Sequence, residues 1–125
     1  MMKPLILLLL CCSLLAPVPA WSGEADVVDA RARATAQGVY SFAVTVLHAD
    51  TGWGHFADKW EVLAPDGTVL GTRVLQHPHV DEQPFTRSLS GVAVPPGLVQ
   101  VSIRAHDSVH GWGGKTVTLT LPRGN

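Results

Sequence analysis

Apolar and polar residues alternate along most of this chain, with glycine or proline between the alternating runs. A period of two marks half-buried β-strands, because successive side chains point to opposite faces. Seven such runs stand out: 28–35 (VDARARAT), 39–48 (VYSFAVTVLH), 58–64 (DKWEVLA), 68–76 (TVLGTRVLQ), 85–94 (FTRSLSGVAV), 98–105 (LVQVSIRA) and 115–121 (KTVTLTL). In the first, Val28, Ala30, Ala32 and Ala34 share one face, and Asp29, Arg31, Arg33 and Thr35 the other. A helix would scatter those arginines around its circumference, so strand is expected despite the alanines. Tyr40, Phe42, Val44 and Val46 are expected inward on the second run, and Trp60 and Val62 on the third. Val99, Val101, Ile103 and Ala105 take that face on the sixth, and Val117, Leu119 and Leu121 on the last. The turns AQG (36–38), PDGT (65–68) and PPG (95–97) carry residues suited to tight reversals.

This pattern predicts an all-β fold: a seven-stranded antiparallel immunoglobulin-like β-sandwich over 28–121, with Trp60 as the buried aromatic of its third strand. Residues 21–27 are expected to form a flexible lead-in, and 122–125 a short tail.

The first twenty residues have a different character. Lys3, an apolar run from Leu5 to Leu15 and a small residue at Ala20 make the three-part pattern of a secretory signal peptide. Cleavage after Ala20 fits best, and cleavage after Gly23 is an alternative. Leu10 precedes Cys11, where a lipoprotein anchor calls for a small residue. Cys11 and Cys12 leave with the leader, so the mature chain is cysteine-free and must be stabilised by packing alone. The expected location is secreted or periplasmic. No second apolar stretch in the mature chain reaches membrane-span length. Without Lys3, eight Lys and Arg residues face ten Asp and Glu, and no basic block exists, which argues against nucleic acid as a partner.

Candidate chemistry comes from the loops. Chain direction alternates between successive antiparallel strands, so every second loop lies at the same end. One end receives only the short turns AQG, PDGT and PPG. The other receives HADTGWGHFAD, QHPHVDEQPF and HDSVHGWGGK, which hold all six histidines: His48, His55, His77, His79, His106 and His110. Asp50, Asp58, Asp81, Glu82, Asp107, Trp53 and Trp112 accompany them. Long loops at one end of a rigid scaffold are where function is usually carried. Two of these loops echo one another: VTVLHADTGWG and VSIRAHDSVHGWGG both run from strand through Asp-Thr or Asp-Ser to Gly-Trp-Gly. Asp50 and Asp107 are therefore expected to shape the loops by accepting backbone N–H bonds, with Trp53 and Trp112 covering that pole of the core.

The segments HPHVDEQPFTRSLSGV and HDSVHGWGG resemble those of a family of small secreted bacterial β-sandwich proteins. The resemblance runs from Tyr40 to Leu121. It implies a secreted all-β domain and brings no activity with it.

Proline keeps the preceding residue out of the α region, so His77-Pro78-His79 is expected extended, with both imidazoles on one face about 6.6 Å apart along the chain. His77, His79, His106 and His110 are the expected ligands of a zinc or copper(II) site. His48, His55, Asp81 and Asp107 are further ligands or supports. His48 also fits a core-edge residue, and His55 one that packs on Phe56. The expected function is a secreted or periplasmic metal-binding protein. The alternative is a non-catalytic module that binds an extracytoplasmic protein or glycan through Trp53, Trp112, Phe56 and Arg87. No GxSxG nucleophile motif is present, and the adjacency of His106, Asp107 and Ser108 is not a triad, so the balance leans away from an enzyme.

Overall fold

The computed structural model describes residues 23–123, so the leader assignment lies outside it. Eight strands and no helix occur among the described residues: β1 (Asp26–Ala36), β2 (Val39–Leu47), β3 (Ala57–Leu63), β4 (Val69–Val74), β5 (Phe85–Ala93), β6 (Gln100–Asp107), β7 (Gly111–Trp112) and β8 (Val117–Thr120). They form two antiparallel sheets. One has the order β1-β2-β5. In the other, β4-β3-β6 continues into β7 beside His106 and Asp107, and into β8 beside Gln100–Ile103. The expected last strand is β8, shortened to Val117–Thr120, and β7 is an additional two-residue strand in what was expected to be the loop before it.

Both sheets turn one face into a shared core. Val27, Ala30, Phe42, Val44, Val46 and Phe85 come from the first, and Trp60, Val62, Val101, Ile103 and Ala105 from the second. Each large apolar side chain buried this way stabilises the fold by about 1.5–3 kcal/mol relative to exposure. The inward residues expected on β2 and β3 are buried as expected. Two others are not. Val28 is exposed because the β1–β2 register shifts between Val27 and Asp29, which turns Val27 inward in its place. Val99 is exposed because it precedes β6, which begins at Gln100.

The two sheets are joined along both sides. On the β4–β5 side, an Arg73 Nη1–H donates to the carbonyl of Ser88 at 2.8 Å. Gly71 lets the sheets approach there, since a Cβ would lie 3.0 Å from Leu89 Cδ2 and 3.2 Å from Val92 Cγ2. On the other side, the Val27 N–H donates to Lys115 O at 2.8 Å, and the Lys115 N–H donates to Asp26 Oδ1 at 2.7 Å.

Candidate metal centre

The loops after β2, β4 and β6 meet at one pole. The Ser108 N–H donates to Phe56 O at 2.9 Å, and the Phe56 N–H to Ser108 Oγ at 3.1 Å, tying the two Gly-Trp-Gly loops together. The third loop joins through Gln83: its side-chain oxygen accepts from the His48 N–H at 3.0 Å, and its amide donates to His79 O at 2.9 Å.

Two buried carboxylates organise this pole. Asp107 ends β6 and is fully buried. Its Oδ1 accepts the N–H groups of Val109 (2.7 Å) and His110 (2.5 Å), which shape the turn. Its Oδ2 faces three imidazole nitrogens: His48 Nε2 at 3.3 Å, His55 Nε2 at 3.3 Å and His110 Nδ1 at 3.0 Å. Burial by itself raises the Asp107 carboxyl, but the N–H groups of His110 and Val109, with the two imidazoles, hold it at about 2. The same contact raises His110, the hydrogen bond it donates to Asp107 outweighing desolvation.

Asp50 supports from behind. Its Oδ1 meets His48 Nδ1 and accepts the Ala57 N–H at 2.9 Å, while Oδ2 accepts the His79 N–H at 2.7 Å. A carboxylate at one imidazole nitrogen leaves the proton there and turns the other nitrogen's lone pair outward, the usual support for a metal-binding histidine. The ligating atoms of His48, His55 and Asp107 all lie within 4.8 Å of one another, a group that could hold a metal ion. His110 reaches the same Asp107 oxygen from the exposed side.

The remaining expected residues are spread around this centre. The His77 and His79 rings lie 4.6 Å apart, centroid to centroid. His77 is exposed, its Nδ1–H donating to Pro78 O at 3.0 Å. His79 is buried and stacked on Phe85 at 3.9 Å, and Arg87 donates to its Nε2 at 3.0 Å. Burial, then Arg87 and His77, lower its pKa and so favour the neutral ring. His106 donates from Nδ1 to Asp58 Oδ1 at 2.6 Å and packs edge-on against Trp112 at 4.7 Å. Trp112 lies under Arg104, 4.0 Å from ring to guanidinium, on the outer face of the second sheet. Asp81 is exposed, and Glu82, its carboxyl lowered by Arg87, pairs with that guanidinium. Trp53 is 71% exposed and touches Phe56 instead of covering the core.

One contribution carries no side-chain signal. The carbonyl of Gly23, just ahead of β1, lies 2.8 Å from His48 Nε2, 3.1 Å from His55 Nε2 and 2.9 Å from His110 Nδ1. A backbone oxygen leaves no mark in the sequence. Asp50 does: it stands two residues after an inward-parity histidine.

The chain is similar to a protein of Halomicrobium mukohataei named "Putative lipoprotein", with 39% identity over 101 residues. The match takes in 81% of this chain and spans about half (49%) of that relative. No family model and no solved structure matches the chain. Among the described residues, no helix is long and apolar enough to cross a membrane.

Proposed function

We propose that this chain is an extracytoplasmic metal-binding protein that holds zinc or copper(II) at the pole formed by the loops after β2, β4 and β6. The observation that carries this reading is the double engagement of His48. Asp50 occupies Nδ1, so in the neutral ring Nε2 offers a lone pair, yet Nε2 faces the carboxylate Asp107 Oδ2. Two lone pairs directed at one another are stabilised by a cation between them. His55 and His110 bring further imidazoles to the same oxygen, a donor set suited to zinc or copper(II). In this reading His48, His55, His110 and Asp107 are the ligands. His79 and His106 brace the loops, and His77 stands at the rim. The leader pattern and the lipoprotein name of the relative both support an extracytoplasmic location.

The same reading takes the scaffold as an immunoglobulin-like sandwich of fibronectin type III character. The pairing of β4 with β3, and not with β5, supports it. A second use of the pole, binding a protein or glycan, draws support from Trp53, whose ring is largely in solvent at the tip of the β2–β3 loop.

The test is elemental analysis of untagged protein, followed by calorimetric titration with zinc and copper(II). Near-stoichiometric binding that tightens from pH 5 to 7, as imidazoles lose their protons, is expected. Binding no tighter than millimolar for either ion removes the reading. Capture of a protein or glycan that survives chelation supports the second use.

A further inference from the structure

Resting on that reading, we infer that the Gly23 carbonyl is a fifth metal ligand, so that residues 23–27 form a strap that docks on the metal. Six distances place Gly23 O and Asp107 Oδ2 around the same three ring nitrogens. The nitrogens of His48, His55 and His110 lie 2.8, 3.1 and 2.9 Å from Gly23 O. The same three atoms lie 3.3, 3.3 and 3.0 Å from Asp107 Oδ2. Metal–ligand bonds near 2.1 Å put right-angle neighbours about 3.0 Å apart. Each nitrogen stands in that relation to both oxygens, so the two oxygens fall on opposite sides of a belt of three imidazoles. The result is a five-ligand N3O2 centre for a divalent first-row ion, with Gly23 O and Asp107 Oδ2 as its axis.

Hydrogen bonding alone fits this arrangement poorly. A carbonyl oxygen has two lone pairs, and here three ring nitrogens crowd one. Both oxygens only accept, so every nitrogen would have to carry a proton, and His48, already engaged with Asp50, would have to be an imidazolium. Five lone pairs around one cation satisfy all the groups at once.

The strap is built to hold this position. Gly23 has φ +75°, a conformation that suits glycine, and a Cβ there would collide with the His110 ring. A Cβ at Gly114 would overlap Ala25 O, and one at Gly113 would meet the Glu24 carboxylate, so the glycine pair that ends the Gly-Trp-Gly-Gly motif leaves room for the strap to pass. Ala25 is fully buried, and the bonds of Asp26 and Val27 to Lys115 anchor the far end. Metal loading and strap docking are therefore linked, each favouring the other.

The experiment uses protein labelled with ¹³C at glycine carbonyls and titrated with zinc, alongside cobalt(II) absorption. The Gly23 carbonyl resonance should move on zinc addition, and cobalt(II) should give the weak visible bands of five-coordination. Gly114→Ala, which displaces the strap, should convert the cobalt(II) spectrum to the stronger four-coordinate type and weaken zinc binding roughly tenfold. An unmoved Gly23 carbonyl in zinc-bound wild type, with a four-coordinate spectrum, overturns the strap ligand while leaving the metal centre standing. Absence of any zinc or cobalt(II) binding overturns the metal centre itself. The wild-type carbonyl reading decides the matter even where Gly114→Ala does not fold.

Discussion

Replacing Asp50 by asparagine removes one charge and keeps the shape. Asp50 is buried and accepts three donors: His48 Nδ1–H, the Ala57 N–H and the His79 N–H. An amide has one accepting end. The less costly orientation keeps the carbonyl at the position that serves His48 and Ala57, and turns the NH₂ toward the His79 N–H. One buried donor then faces another, a loss of about 1–3 kcal/mol. The bond to His48 also changes from charge-assisted to neutral, which removes about 1 kcal/mol more. The expected sum is about 3 kcal/mol, and for a domain of this size that corresponds to a fall in Tm on the order of 15 °C. Thermal unfolding followed by tryptophan fluorescence with excess EDTA measures this term alone. Zinc titration of the same variant should show a roughly 10–100-fold loss of affinity, the usual effect of removing a carboxylate behind a ligating histidine. An unchanged Tm in EDTA together with unchanged zinc affinity would refute the assignment of Asp50 as the organising carboxylate.

Further outcomes follow from the same geometry. His55→Ala should weaken zinc binding by more than the roughly 10–100-fold expected of a supporting residue, while His77→Ala, exposed and bonded only to Pro78, should leave it unchanged; calorimetry of the pair separates a ligand from a bystander. Asp107 titrates at about 2 in the folded chain against an ordinary 3.8, so its ionisation favours the folded state above pH 4 and the benefit fades as pH falls toward 2. About 2 kcal/mol of urea-measured stability should disappear over that interval in EDTA, and a wild-type-minus-Asp107→Asn difference that stays constant across it would contradict the shift. Phe42→Ala, at a fully buried site in the middle of β2, should lower unfolding free energy by about 3–5 kcal/mol. A change under about 1 kcal/mol by urea titration would mean that the core closes around the gap far more freely than packed interiors do.

Strand positions were legible because alternation reports directly on a half-buried sheet. Val28 shows where that signal ends: a register shift moves inward parity by one residue, and alternation carries no mark of the shift. The short strand β7 was hidden because two residues are too few to alternate, and Gly113 and Gly114 beyond it serve the passage of another segment. The pole was legible from chain direction, which sorts loops without any knowledge of side-chain placement. The pairing of particular imidazoles was not. His77 and His79 are neighbours in sequence and in space, but Arg87 and Phe85 take up the His79 ring. His48 and His55 lie on either side of one loop and turn to meet Asp107 from the far loop. Asp107 was expected to shape its turn, and one oxygen does so while the other faces the histidines.

The joined sides of the sheets bear on how this cysteine-free domain avoids pairing with other chains. A strand at the rim of a sheet offers unpaired backbone groups to any other chain that can lie alongside it. Here the Arg73 guanidinium and the close approach at Gly71 join one rim to its neighbour, and Asp26, Val27 and Lys115 join the other. The seams that fasten the two layers together thus also guard their borders. A foreign strand adding at either rim would have to compete with these contacts.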